Sequence, residues 1–293
     1  MNIAPDRLRV LTIGNSFTDS LRTYWQPIVE SAGCWLQFEG ANHGGCELHR
    51  HWGYVEDEER DPNCRMYHDR RSKLREILAQ KPWDIVTIQQ ASHASWRPET
   101  YQPFAGNLCA YVRKFAPQAE IVIQQTWAYR ADDPRLPEGG EWGIGQDGMY
   151  ERLTQAYRKL SRELGDLRII PSGYAVQLTR IHQGYNFVPY DPAVLKTLRW
   201  PDLPSQAGDV VGAMGYHKNR ETTELEIWRD TIHLNLRGQY LQACVWFAFL
   251  YGRNTSQITY VPDAIGSHDA AFLRAMAQKA VDEFGGKHPV IGK

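Results

Sequence analysis

The sequence predicts a single three-layer α/β domain with a central parallel sheet. Short apolar runs alternate with amphipathic helical stretches through most of the 293 residues. The runs are almost continuously apolar, as expected for strands that are covered on both faces. Strands and helices in this alternating order form parallel sheets with right-handed crossovers. A composition of 42% hydrophobic and 23% charged residues suits one globular domain over residues 1–293.

Five strands and four helices are predicted in chain order. The strands are the apolar runs RLRVLTIG, CWLQFEGAN, WDIVTIQQ, AEIVIQQTW and LRIIPSG. The helices between them are SLRTYWQPIVESAG, RRSKLREILAQ, TYQPFAGNLCAYVRKFA and MYERLTQAYRKLSREL. A strongly apolar helix follows near the C-terminus. Residues 130–148 and 184–220 interrupt this order and are rich in Gly, Pro and Asp. We expect both segments to be surface insertions that shape a substrate rim.

Composition narrows the class of ligand. A net charge of -1 and a pI near 6.8 provide no long-range field for nucleic acid or an anionic membrane. A small-molecule or carbohydrate substrate fits better, and the 10 Trp and 15 Tyr suit sugar rings. The oligomeric state stays open. No apolar stretch is long enough to span a bilayer, and the first ten residues lack the features of a secretory signal. We expect a soluble, cytoplasmic protein for the chain as given, and a signal already removed would leave the same sequence.

The cysteines do not predict a structural site. Five cysteines form an odd set without C-x-x-C spacing, so neither a disulfide framework nor a zinc ribbon is indicated. We expect most of them to be reduced or buried. A pair between Cys46 and Cys64 stays open.

The carboxyl ends of the strands are where a ligand site is expected, because ligands bind there in open α/β sheets. The first strand ends at Gly14-Asn15-Ser16, the second at residues 42–45 (NHGG), and the third at Gln89-Gln90. All three ends carry small or amide-bearing residues. Ser16 therefore has two interpretations: together with Thr18 and Asp19 it suits a helix N-cap, or it is a nucleophile.

Asp230 and His233 lie three residues apart, just ahead of the apolar C-terminal helix. In a turn entering a helix, this spacing lets the carboxylate reach the imidazole. An imidazole oriented in this way can take a proton from a serine hydroxyl, while the carboxylate fixes its tautomer. A D-x-x-H pair by itself is more often a capping Asp beside a surface His.

Taken together, GNS after the first strand, GG after the second, an amide after the third and D-x-x-H before the last helix resemble the blocks of the SGNH hydrolases, also called the GDSL esterases. The resemblance covers residues 8 to 252 and implies the flavodoxin-like SGNH fold. It also implies a serine esterase without a cofactor, in which Ser16 is the nucleophile, His233 the general base and Asp230 the orienting carboxylate. The most fitting reaction is removal of small acyl groups, such as acetyl, from a carbohydrate.

The chain departs from the family pattern at two places. Asn15 replaces the Asp of the GDS motif, and the third block reads IQQAS where Gly-x-Asn is usual, similar to the Gln-bearing branches. The resemblance implies an oxyanion hole made of the Ser16 N–H, the N–H of Gly45 or Gly44, and a glutamine side chain. Strand alternation sends Gln89 and Gln90 to opposite faces, and we favour Gln89 as the donor over Gln90.

Other interpretations of the same residues stay open. His49, Trp52 and Tyr54 follow the second block and are candidate substrate contacts, or they belong to the core. The stretch HGGCELHRH suggests a metal site, but its spacings match no common zinc site. GNSFTDS lacks the Lys of a phosphate-binding loop. The alternative functions are a lipase or thioesterase acting on acyl chains, and a non-catalytic carbohydrate-binding protein of the same fold.

Overall fold

The computed structural model describes residues 5–284 and contains the predicted three-layer α/β fold. Five parallel strands form the central sheet in the order β2-β1-β3-β4-β5. These strands are β1 (Arg7–Gly14), β2 (Trp35–Asn42), β3 (Ile85–Ile88), β4 (Glu120–Gln124) and β5 (Ile169–Ile170). The predicted strands all appear. The last three are shorter than predicted, because the chain leaves the sheet where its polar residues begin.

Nine α-helices lie within the described residues. They are α1 (Ser16–Asp19), α2 (Trp25–Ser31), α3 (Leu48–Arg60), α4 (Leu74–Gln80), α5 (Phe104–Phe115), α6 (Gly145–Glu163), α7 (Ser172–His182), α8 (Leu236–Tyr251) and α9 (Ser267–Phe284). The apolar helix α8 is buried along nearly its whole length and contacts α2, α7 and α9. Four helices, α1, α3, α7 and α9, were not predicted. In α3 the buried face includes His51 and Glu58 beside Leu48 and Val55, so polar residues hide its apolar period.

The register of the sheet brings the motif blocks together. Gly14 at the end of β1 pairs with Asn42 at the end of β2. Ile13 pairs with Ile88 at the end of β3, so Gln89 follows directly beside Gly14. Parallel strands have their carboxyl ends at one edge, and three of the four blocks meet there.

The fourth block lies at a local turn inside a strand, whereas a turn entering a helix was expected. β6 (Val211–Lys218) and β7 (Leu225–Leu234) form a separate antiparallel pair, with a register shift between Val211 and Ala213. Thus segment 184–220 includes a regular strand. Segment 130–148 is not wholly superficial either, because Arg130 and Asp133 are fully buried.

No helix within residues 5–284 is long and apolar enough to cross a membrane. All five cysteines are free thiols, so Cys46 and Cys64 do not form a disulfide.

Candidate active site

Asn15, not Ser16, is the residue that caps the helix after β1. Its backbone is extended, and its Oδ1 accepts a hydrogen bond from the N–H of Phe17 at 3.1 Å. Because the Asn15 side chain caps the helix, the Ser16 hydroxyl at the first helical position is not needed for capping. The N-cap interpretation is therefore wrong for Ser16 and Thr18, which lie within the helix, whereas Asp19 is the N-cap residue of the following 3₁₀ helix Ser20–Thr23, without a side-chain hydrogen bond to it.

The structure brings Ser16, His233 and Asp230 into one chain of hydrogen bonds. Ser16 Oγ lies 2.8 Å from His233 Nε2, and His233 Nδ1 lies 2.7 Å from Asp230 Oδ2. A carboxylate only accepts hydrogen bonds, so Nδ1 carries the ring proton and Nε2 offers its lone pair to the serine O–H. The edge of the His233 ring also packs against Phe17, with ring centroids 5.6 Å apart.

A local turn within β7 holds Asp230 against His233. Asp230 Oδ1 accepts hydrogen bonds from the backbone N–H groups of Ile232 and His233, at 2.8 and 2.9 Å. Burial by itself would raise the pKa of Asp230, but the hydrogen bonds from His233 and Ile232 outweigh it and lower this pKa to about 2. The carboxylate is therefore ionised at neutral pH, as a partner of a protonated imidazole must be.

Residues 127–133 form hydrogen bonds with the part of β7 that lies between Asp230 and His233. The indole N–H of Trp127 donates to the carbonyl of Ile232 at 2.9 Å, and the Arg130 N–H donates to the carbonyl of Thr231 at 2.8 Å. The Thr231 hydroxyl donates to the buried Asp133 carboxylate at 2.6 Å. The sequence analysis missed these residues and assigned 130–148 to the surface. The one available signal was the pair of Asp residues at 132 and 133, which a turn also explains.

The backbone donors expected for an oxyanion hole are free. The N–H groups of Ser16, Gly44 and Gly45 have no hydrogen-bond acceptor among residues 5–284. The loop carrying the two glycines is fastened to the first block, because His43 N–H donates to the Gly14 carbonyl at 3.1 Å and Asn15 Nδ2 donates to the Cys46 carbonyl at 3.1 Å. Gly45 has φ +60°, a conformation that favours glycine.

Neither glutamine of the third block is available as expected. Gln89 Nε2 donates to Asn15 Oδ1 at 2.6 Å, and Gln89 Oε1 accepts from the Thr18 hydroxyl. Gln90 Oε1 accepts from the N–H of Leu48 at 2.9 Å, while its Nε2 donates to Thr100. Both side chains are buried and bound to protein groups. Gln89 supports the turn that carries Ser16, and Gln90 binds the start of α3, so the expected glutamine donor does not fit this arrangement.

The three candidate substrate contacts all lie on α3. His49 packs edge-on against Phe104, and Trp52 packs against Tyr111, both on α5. Tyr54 packs against His43 in the glycine loop. His49 and Trp52 therefore contact the neighbouring helix, whereas Tyr54 supports the loop of the second block.

The histidine-rich stretch does not assemble a metal site. His51 is fully buried and uses both ring nitrogens, one toward the Gly14 carbonyl at 2.9 Å and the other toward the Tyr67 hydroxyl at 3.0 Å. Within residues 5–284, no group of three His, Cys, Asp or Glu side chains is placed to hold a metal ion.

Comparisons with known proteins place these observations in a family. The DUF4886 family, described as a domain of unknown function, matches residues 9–187, which is more than half of the chain. A DUF4886 family protein from Bacteroides uniformis is 26% identical, with 98% of each chain covered and a TM-score of 0.71. Among curated proteins, none matches.

Two further solved structures are more distant. A member of the lipolytic G-D-S-L family from Veillonella parvula is 11% identical over 80% of this chain and 93% of its own, with a TM-score of 0.39. Phospholipase A1 from Streptomyces albidoflavus is 13% identical over 79% and 94%, with a TM-score of 0.37. The order of the four blocks and the three-layer fold resemble those of the SGNH hydrolases, and the chain belongs to the DUF4886 family.

Proposed function

We propose that this protein is a serine esterase that hydrolyses small acyl esters, most fittingly acetyl esters of carbohydrates. The observation that carries the proposal is the chain of hydrogen bonds from Ser16 through His233 to Asp230, with distances of 2.8 and 2.7 Å. These are the distances at which a base can take a proton from a nucleophile. The three residues come from opposite ends of the chain, so helix capping does not account for their meeting.

The mechanism follows from the tautomer of His233. Ser16 Oγ attacks the carbonyl carbon of the ester while its proton passes to His233 Nε2. Asp230 stabilises the imidazolium that forms. The tetrahedral intermediate then expels the alcohol, which takes the proton back from His233, and leaves an acyl group on Ser16. Water, activated by His233 in the same way, attacks the acyl carbonyl and frees Ser16 and the acid.

Backbone groups are the proposed stabilisers of the negative oxygen. The N–H groups of Ser16 and Gly45, with Gly44 beside them, have no protein acceptor among residues 5–284. Donors that are free and fixed before the reaction stabilise developing charge without reorganising. Because Gln89 and Gln90 are bound elsewhere, this oxyanion hole consists of backbone N–H groups alone.

The test is a comparison of Ser16→Ala and His233→Ala with the unmodified protein on p-nitrophenyl acetate, butyrate and octanoate and on acetylated sugars. Each substitution is expected to lower kcat by a factor on the order of 10³ or more, and the double variant should lose little beyond that, because the residues act as one unit. Preference for the shortest acyl chain is expected. Ser31→Ala and His268→Ala, which lie outside the site, are the matched controls.

Labelling with a fluorophosphonate reports the nucleophile directly. Mass spectrometry of the unmodified protein should find the adduct on the peptide containing Ser16, and His233→Ala should react much more slowly. If Ser16→Ala keeps near-normal hydrolysis of an ester that the unmodified protein cleaves, the proposed mechanism is wrong.

A further inference from the structure

The β6–β7 pair has two faces with different surroundings. Paired residues share a face, so Met214, Tyr216, Ile227 and Arg229 lie together on one side. This side is covered: the Tyr216 hydroxyl donates to the carbonyl of Asp202 at 2.9 Å, and Arg229 Nη1 lies 3.8 Å from Asp132. The opposite side carries Asp230 and Trp228.

Trp228 lies on the same face as Asp230, two residues before it. Residues two apart on a strand are about 7 Å apart and point to the same side. The Trp228 side chain is 41% exposed. Its indole N–H has no hydrogen-bond acceptor among residues 5–284. A large aromatic surface thus lies two residues from Asp230, on the same face of the β6–β7 pair.

Gly215 determines how the indole lies. Gly215 is the cross-strand partner of Trp228. A Cβ atom at this position would come within 2.8 Å of Trp228 Nε1 and 3.0 Å of Trp228 Cε2. The indole therefore rests on the bare backbone of β6. Any other residue at 215 would lift it, so the flat position of the ring depends on glycine.

The polar groups around this ring indicate the class of ligand. His217 and Glu226, the next pair along the same face, lie 3.9 Å apart and are about half exposed. An acyl chain prefers an enclosed apolar groove, whereas a sugar ring presents C–H groups on its face and hydroxyls at its rim. A flat aromatic ring with a free N–H and a neighbouring His–Glu pair matches the sugar.

We propose that Trp228, lying on Gly215, forms a subsite for a pyranose ring in the alcohol portion of the ester. The proposal rests on the proposed esterase function. It adds a residue that determines specificity: the acyl group lies at Ser16, and the sugar that leaves with the alcohol oxygen extends along β7 over Trp228.

The experiment compares two kinds of ester by acetate release. One is ethyl acetate, whose alcohol portion has no ring, and the other is a set of O-acetylated disaccharides of xylose and of glucose. Trp228→Ala should lower kcat/KM for the acetylated disaccharides by about tenfold, mainly through KM, and leave ethyl acetate within about twofold. Trp228→Phe should retain part of the preference. Gly215→Val, which displaces the indole, should act like Trp228→Ala.

Trp200→Ala is the matched control, because Trp200 is 66% exposed and lines the groove on the opposite, covered side of the β6–β7 pair. Trp200→Ala should leave kcat/KM unchanged for both the acetylated disaccharides and ethyl acetate. Ethyl acetate hydrolysis also checks that each variant is folded. If Trp228→Ala affects both substrates equally, or if the unmodified protein cleaves ethyl acetate but no acetylated disaccharide, the sugar subsite is wrong while the esterase function stands. Failure of the esterase function is distinguished by absence of fluorophosphonate labelling at Ser16.

Discussion

At the scale of single residues, Asn15 connects the first three motif blocks. Its Oδ1 accepts from Phe17 N–H and from Gln89 Nε2, and its Nδ2 donates to the Cys46 carbonyl. An Asp at this position, as in the GDS motif, could make the first two contacts but could not donate to Cys46. This chain needs an amide at position 15, because the loop carrying Gly44 and Gly45 is held through a hydrogen bond from Asn15 to the Cys46 carbonyl.

Asn15→Asp, which restores the family motif, is expected to be harmful here. Asn15 is fully buried, and a carboxylate oxygen would face the Cys46 carbonyl without a hydrogen between them. Loss of this bond should cost about 1–3 kcal/mol of stability in urea unfolding and lower kcat, because the loop carrying Gly44 and Gly45 loses its anchor. Asn63→Asp, at an exposed position whose side chain makes no hydrogen bond within residues 5–284, is the control and should leave both measurements unchanged. Equal unfolding midpoints for Asn15→Asp and the unmodified protein would refute this role.

At the scale of elements, β7 carries Asp230 and His233, the proposed catalytic pair, and a neighbouring loop binds the segment between them. The local turn from Asp230 to His233 leaves two carbonyls and one hydroxyl that residues 127–133 bind. Trp127 also stacks on Phe17, with ring centroids 4.1 Å apart, and Phe17 directly follows Ser16, the proposed nucleophile. The loop after β4 thus contacts both halves of the site and sets the distance between them.

Thr231→Val tests this connection with little change in shape. It removes the hydroxyl that donates to Asp133 and leaves that buried carboxylate one partner short, which should cost about 1–3 kcal/mol in urea unfolding. A lower kcat is expected as well, because Asp230 and His233 are adjacent in the same turn. Thr231→Ser keeps the hydroxyl and should resemble the unmodified protein in both measurements. If Val and Ser variants have the same kcat, the loop does not position the pair.

At the scale of the whole molecule, a buried histidine links folding to pH. His51 Nε2–H donates to the Gly14 carbonyl, so its Nδ1 accepts from the Tyr67 hydroxyl and the ring is neutral. Burial lowers the pKa of His51 to about 4, although the bond to Gly14 acts in the opposite direction. In the unfolded chain the same group has a pKa near 6.5, so the unfolded state takes up the proton first as pH falls.

The free energy of unfolding should therefore be highest above about pH 6.5 and decrease as the pH falls toward 4. Between pH 6.5 and 5, His51 is expected to account for about 2 kcal/mol of the decrease in the free energy of unfolding. Urea unfolding at several pH values measures this decrease. His51→Gln keeps a donor for Gly14 but has no proton to take up, so its pH dependence should be shallower. His268→Gln, an exposed control on α9, should keep the steeper dependence. Identical slopes for both variants would contradict the assignment to His51.

The sequence by itself determined the features that are local in the chain. Continuous apolar runs predicted all five strands of the sheet, and strand ends at Gly14, Asn42 and Gln89 marked where the site lies. The D-x-x-H spacing pointed to Asp230 and His233, because a contact over three residues depends on local geometry. Helix α3 escaped prediction, since its buried face includes a histidine and a glutamate that are satisfied by partners elsewhere.

The tertiary structure decided everything that depends on distant partners. Ser16 and His233 are 217 residues apart in sequence, and Gln89 reaches Asn15 across 74. The pairing of donors and acceptors in the folded interior decides whether Asn15 or Ser16 caps the helix. It also decides whether a glutamine amide is free. The same holds for Trp228, because its proposed role depends on the cross-strand partner Gly215 and on Asp230 on the same face. A linear pattern records residue types and spacings, but burial and hydrogen-bond competition are settled only when the elements pack.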